Sequence, residues 1–97
     1  MQLGMVVGQV VATAKEPALN GFTFLLIEDV SDADLGSGSA AVYIAIDLIG
    51  AGDGEVVLVT TGSAARVSQA ARLAPIDRAV VAIADTVVRR GEITYSK

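Results

Sequence analysis

Residues 1–14, Met1-Gln2-Leu3-Gly4-Met5-Val6-Val7-Gly8-Gln9-Val10-Val11-Ala12-Thr13-Ala14, decide how the rest of the chain is read. Val6, Val7, Val10 and Val11 carry β-branched side chains that fit a pleated surface, and a glycine inside such a run marks a bulge or a bend at a barrel corner. Gly4 and Gly8 therefore predict one long, bent strand. Lys15-Glu16-Pro17 and Asn20-Gly21 supply turn chemistry. A second strand is expected over residues 22–30, where the continuous Leu25-Leu26-Ile27 predicts burial on both faces. Residues 31–39 (SDADLGSGS) are polar and Gly-rich and read as a loop.

Further strands are expected over residues 40–47, 55–60, 79–88 and 92–96. Residues 50–54 form a tight connection, Arg90-Gly91 breaks the last two strands apart, and one short helix is expected over residues 63–71, ended before Pro75. Five or six short strands with Gly-rich turns and almost no helix predict a single all-β domain, a barrel or a sandwich. No internal repeat is visible.

Composition adds a second constraint. With Gly counted and Tyr left out, about 61% of the 97 residues are apolar, against roughly 45–50% in an average domain. Only 19% are charged. A domain this short buries roughly 60–65% of the surface its unfolded chain exposes, so part of the apolar excess is left outside. A second subunit is the natural place for it.

Several kinds of chemistry are excluded at the same stage. The chain has no Cys and no His, which rules out a thiol nucleophile, a disulfide scaffold, an ordinary zinc site and a Ser-His-Asp triad. A net charge of -4 argues against a surface that tracks phosphates, so nucleic acid is not an expected partner. The apolar runs fall short of the ~20 residues of a membrane span, and the N-terminus lacks a basic n-region. No membrane association is expected, and the chain reads as cytoplasmic and unprocessed.

The remaining candidate sites each have a structural reading beside the chemical one. Gly50-Ala51-Gly52-Asp53-Gly54-Glu55 has the glycines of a phosphate cradle, but a strand follows it where a helix N-terminus is needed, and its two carboxylates repel an anion. A tight turn is preferred. Asp32-x-Asp34-x-Gly36, with Asp29 nearby, imitates the start of a calcium loop, yet the bidentate Glu such a loop needs at its twelfth position is replaced by Tyr43. Asp47 and Asp85 are candidate paired carboxylates for acid–base work; salt bridges to Arg66 or Arg78 are the preferred alternative. Arg66, Arg72 and Arg78, with Arg89-Arg90 near the end of the sequence, suit either an interface or a solvated surface.

Taken together, the motifs resemble the EutN/CcmL family, the pentameric vertex proteins of bacterial microcompartment shells such as carboxysomes and metabolosomes. The resemblance begins with Leu3-Gly4-x-Val6-x-Gly8-x-Val10-Val11-Ala12-Thr13, Lys15-x-Pro17 and Leu25-Leu26-Ile27. It continues through Ala45-Ile46-Asp47-x-Ile49-Gly50-Ala51-Gly52-x-Gly54-Glu55-x-Val57-Leu58-Val59. It ends with Gly62-Ser63-x-Ala65-Arg66, Pro75-Ile76-Asp77 and Val80-Val81-Ala82-Ile83-Ala84-Asp85.

The resemblance implies a small OB-like β-barrel, five copies of which form a cyclic homopentamer shaped as a truncated pyramid. That pentamer would close a corner of a shell in the bacterial cytoplasm otherwise tiled by hexameric and pseudohexameric proteins, because flat hexamer sheets cannot close. It implies a structural protein with no catalytic residue, cofactor or metal. Gly50-Ala51-Gly52-Asp53-Gly54-Glu55 matches the family's Gly-Ala-Gly-x-Gly-Glu loop and is expected at the subunit interface or five-fold pore. Gly62-Ser63-Ala64-Ala65-Arg66 matches its Gly-Ser-Ser-Ala-Arg segment, with Ala64 removing one hydroxyl, and is expected at a subunit or shell edge. Arg78 stands where small or apolar residues are usual. An OB-like binding module for a small ligand or single-stranded nucleic acid, or a carboxylate-dependent hydrolase, are the alternatives.

Overall fold

The computed structural model describes residues 1–30, 41–67 and 74–97; the expected loop at 31–39, most of the expected helix beyond Arg66, and Arg72 lie outside them. Among the described residues there are seven strands: β1 (Gln2–Val10), β2 (Thr23–Asp29), β3 (Val42–Asp47), β4 (Val56–Thr61), β5 (Arg78–Ile83), β6 (Thr86–Arg89) and β7 (Glu92–Ser96). The first five close into a barrel in the order β1-β2-β3-β5-β4, and β6 and β7 form a separate two-stranded sheet. Short 3-10 turns occupy Pro17–Leu19 and Gly62–Arg66. No helix of the described residues is long and apolar enough to cross a membrane.

The long first strand is what lets so few strands close. β1 pairs with β4 along Gln2 to Met5 and with β2 from Gly4 to Val10, so one strand serves two neighbours. The register shifts between Val6 and Gly8, which leaves Val7 outside the alternation and exposed. Such a bulge bends the strand and raises its twist, as Gly8 predicted. Gly4 is needed for a different reason, since a Cβ there would overlap Ile27 Cγ2 and lie 3.2 Å from the Tyr43 hydroxyl. The backbone of β1 therefore passes directly against the interior side chains.

Alternation along the strands sorts apolar residues to two sides. Val6, Leu25, Ile27, Ala45, Val57, Val59 and Val80 fill the barrel interior. Ile46, Ala65, Ala74, Ile76 and Ala79 form a second cluster outside it, with Phe22, Phe24 and Leu19 packed around them. Ala45 and Ile46 are adjacent in sequence and belong to opposite clusters, as do Ala79 and Val80. The Leu25-Leu26-Ile27 run divides the same way: Leu25 and Ile27 are buried, while Leu26 is only half-buried on the outer face.

The barrel closes through a short parallel seam. β3 meets β5 only at Ile46↔Ala79 and Asp47↔Val80 among the described residues, whereas β2 and β3 share a six-pair antiparallel ladder.

One expected element divides in two. The predicted strand over 79–88 breaks at Ala84 and Asp85 into β5 and β6. Ala84 still donates to Val56 O at the barrel wall, and β6 then turns away to pair with β7. Arg90 and Gly91, with φ of 53° and 80°, make the turn between them. Two consecutive positive φ values are what a two-residue type I′ turn requires.

Replacing Gly4 with Ala is expected to destabilise the chain by about 1–3 kcal/mol, the usual cost of overpacking. A urea transition read by circular dichroism would show this as a lower midpoint. Gly8→Ala, where a Cβ meets Leu26 at an ordinary 3.6 Å, serves as the control with little change.

Candidate assembly surfaces

The Gly-rich loop is held by its own hydrogen bonds. Asp47 Oδ1 accepts from the backbone N–H of Ile49 and Gly50 at 3.0 and 2.9 Å, and Glu55 Oε1 accepts from Gly52 N–H at 2.6 Å. Gly54 N–H donates to Val6 O, Glu55 N–H to Gly52 O, and Val6 N–H to Glu55 O. The donors of Gly50, Gly52, Gly54 and Glu55 are thus already used, which removes most of what a phosphate cradle would offer. Gly50 and Gly54 adopt φ of 93° and 82°, and a Cβ at either would meet nothing within 4 Å. Within one chain, these glycines supply backbone conformation rather than close packing.

Glu55 also fastens the hairpin. Its Oε2 lies 2.7 Å from Lys97 Nζ, and Lys97 N–H donates to Asp85 O. The lysine's hydrogen bond, then that of Gly52 N–H, holds the Glu55 carboxyl below its ordinary range. The carboxylate in turn raises the Lys97 ammonium above its own. Both groups are on the surface, so the contact positions the hairpin base more than it stabilises the fold.

Arg66 sits at the end of the 3-10 turn Gly62–Arg66, where Ala65 is buried. Its Nη1 donates to Ile76 O at 2.8 Å within its own chain. Gly62, at φ 61°, donates its N–H to Asp77 O. The segment is therefore bound to residues 76–77 and covers the outer apolar cluster. Ser63 and Ala64 are exposed beside it.

The salt bridges expected between Asp47 or Asp85 and Arg66 or Arg78 do not form. Asp47 caps the turn at Ile49 and Gly50, and Arg66 bonds a carbonyl. The Arg78 guanidinium lies 4.1 Å from the centre of the Tyr43 ring, a cation–π contact that gives Arg78 a partner the sequence did not name. Burial raises the Tyr43 phenol above its ordinary value, Asp29 adds to the rise, and Arg78 opposes it. Among the described residues, neither the phenol oxygen nor the buried Thr60 Oγ1 has a hydrogen-bond partner.

Nothing in this arrangement pairs Asp47 with Asp85. Asp47 lies opposite Val80 on β5, and Asp85 follows five residues later, about 16 Å along an extended chain. Of the calcium-loop candidates, Asp32 and Asp34 lie outside the described residues, while Asp29 Oδ1 accepts from Gln2 Nε2. The four aromatic rings are all half-buried: Phe22 and Phe24 against the outer cluster, Tyr43 against the interior, and Tyr95 in the hairpin. None stands on an open face as a base-stacking platform would.

The surface instead carries branched aliphatic side chains. Val42 and Ile44 on β3, Ile49 beside the Gly-rich loop, Val67 after the 3-10 turn, and Val88 and Ile93 on the hairpin are all exposed. The hairpin itself is exposed over most of its length. The sequence carried one signal of its detachment, the polar Asp85-Thr86 step inside an otherwise apolar run.

The fold and these surfaces define a small OB-like barrel whose polar loops are used for its own architecture and whose spare apolar groups face outward. The family model described as "Ethanolamine utilisation protein EutN/carboxysome" matches residues 1–85. The bacterial microcompartment shell vertex protein EutN of Salmonella typhimurium is 39% identical over all of this chain and 96% of its own length. The carboxysome shell vertex protein CcmL of Gloeobacter violaceus is 40% identical over all of this chain and 95% of its own. Its solved structure superposes with a TM-score of 0.89, covering 100% of this chain and 98% of that one. The GrpN pentameric microcompartment shell protein of Rhodospirillum rubrum is 39% identical, with a TM-score of 0.77 over 92% of this chain and 98% of its own. The chain belongs to the EutN/CcmL family.

Two outcomes follow from the side-chain contacts. Arg66→Ala loses the charged hydrogen bond to Ile76 and is expected to destabilise the chain by about 1.5–3 kcal/mol, read as a lower urea midpoint. The Glu55–Lys97 contact depends on pH with a definite sign. A lowered carboxyl contributes above its ordinary value and ceases to contribute as pH falls through the lowered one; a raised ammonium contributes below its ordinary value and ceases as pH rises through the raised one. Amide exchange at Lys97, corrected for intrinsic rate, is therefore expected to lose protection at the acid end. Glu55→Gln should remove that dependence and lower protection at neutral pH.

Proposed function

We infer that this chain is a structural, non-enzymatic vertex protein of a microcompartment shell in the bacterial cytoplasm, acting as a cyclic homopentamer that meets hexameric shell proteins at its edges. The observation that carries the reading is the near full-length match, at 38–40% identity and TM-scores of 0.77 and 0.89, to a carboxysome vertex CcmL and a pentameric shell protein. The exposed apolar hairpin supports it independently, because a two-stranded hairpin is marginal in water unless something packs on it. Five-fold units supply the curvature that a flat hexameric sheet lacks.

Within this reading, Gly50, Ala51, Gly52, Asp53, Gly54 and Glu55 face the five-fold axis or the adjoining subunit. Gly62, Ser63, Ala64, Ala65 and Arg66 lie toward a subunit or shell edge. Among the described residues Arg66 donates to Ile76 O, and the guanidinium's further donors are what such a contact would use. Each copy carries a formal charge of -4, so apolar burial and screening must outweigh long-range repulsion in the ring.

Native mass spectrometry at micromolar concentration is expected to give a species of five 9.9 kDa chains, more populated as salt screens the repulsion. A monomer alone would overturn the reading. Negative-stain images of shells co-expressed with a hexameric partner should show closed polyhedra with this chain and open sheets or tubes without it.

A further inference from the structure

We propose that in the ring the β6–β7 hairpin of one copy docks into the groove between β3 and residues 75–77 of the next, with Val88 and Ile93 as the inserted pair. The proposal rests on the pentameric reading and specifies the two surfaces that make its contact.

The hairpin supplies one half. Val88 and Ile93 are directly paired across β6 and β7, so their side chains stand together on one face. They are 59% and 66% exposed, a two-residue apolar knob on an element that cannot bury it alone. Val87 and Tyr95, also paired, are half-buried on the other face. The type I′ turn at the tip carries the exposed Arg90.

The groove supplies the other half. Because β3 meets β5 only at Ile46 and Asp47, the earlier part of β3 diverges from residues 75–78. A recess of about 170 Å³ lies between them, lined by Leu19, Ile44, Ile46, Pro75, Ile76 and Asp77 among others. Its rim is apolar at Ile44, 50% exposed, and carries the exposed Asp77 carboxylate beside the half-buried Arg78, whose guanidinium lies on the Tyr43 ring. The volume suits one or two branched aliphatic side chains, and the rim carboxylate complements Arg90.

Topology directs the contact between copies. In the parallel seam, residues preceding Ile46 lie beside residues preceding Ala79, which places the groove at the start of β5. The hairpin leaves from the other end of β5, past Ile83, which lies about 13 Å from Ala79 along the strand. Knob and groove therefore sit at opposite ends of the same strand. A ring with an odd number of subunits cannot be built from two-fold contacts and needs a heterologous pair of surfaces, one from each neighbour. These two surfaces differ in shape and charge in the way such a pair must.

The absence of cysteine makes the test direct. Chains carrying both Ile44→Cys and Ile93→Cys, treated with a short bismaleimide, are expected to give a ladder from dimer to pentamer on a denaturing gel, while each single variant stays monomeric. Mixing the two single variants after subunit exchange should give dimers only. A pentamer by native mass spectrometry without the ladder would overturn this docking and leave the pentamer standing, as would cross-linked dimers from Ile93→Cys alone, which would mean that hairpins meet each other. A monomer by native mass spectrometry would remove the pentameric reading and this proposal together. As a second readout, Asp77→Lys and Arg90→Glu should each weaken assembly by up to about fivefold, as a surface ion pair does, and the double charge swap should recover most of that loss.

Discussion

The interior of a five-stranded barrel has room for few side chains, and this limit shapes everything else in the molecule. Val6, Leu25, Ile27, Ala45, Val57, Val59 and Val80 occupy it, and Gly4 is held to a hydrogen where β1 crosses Ile27. A chain that is 53% hydrophobic has far more apolar groups than that space accepts. The surplus goes first to the outer cluster beneath the segment around Arg66, and then to the surface of β3 and the hairpin. What a larger domain would place in a bigger core, this one presents to its surroundings.

The polar groups follow a complementary economy. Asp47 and Glu55 bracket the Gly-rich loop and accept from its N–H donors, so Asp47, a carboxylate that looked available for acid–base chemistry, serves with Glu55 the turn between β3 and β4. Arg66 does the same for the stretch before β5 through the Ile76 carbonyl, and Arg78 lies on the Tyr43 ring where burial would otherwise leave only aliphatic contacts. Charged residues are few, and those seen in contacts mostly fix backbone.

Most of the barrel was legible in the sequence because its signals are local. β-Branched runs marked β1 and β4, Gly8 marked the bulge, and Arg90-Gly91 marked the last turn. The division of the 79–88 run into β5 and β6 was not legible in the same way, since Val87 and Val88 continue the β-branched pattern and only the partner strand changes. Pairing is a long-range property, and Ala84 shows where it switches, still bonded to Val56 while the next residues leave the wall. The contact residues were read through family resemblance, with the Gly-rich loop standing out on composition alone. The hairpin knob was invisible because cross-strand pairing, not sequence spacing, brings Val88 beside Ile93. The stacking of Arg78 on Tyr43 joins residues 35 positions apart and left no local trace.

The two-pair seam between β3 and β5 also has a kinetic side. The β1–β2–β3 meander pairs strands that follow one another in sequence, while the seam joins positions 33 residues apart for little ladder in return, so loop-closure entropy makes it a late step in folding. The same imbalance makes it the place where the finished barrel opens first, since opening there breaks two residue pairs rather than six. A partner bound across that opening would stabilise the closed form by mass action. In the proposed ring, the breathing of each subunit, and with it the exchange of subunits, would then depend on how many copies are present.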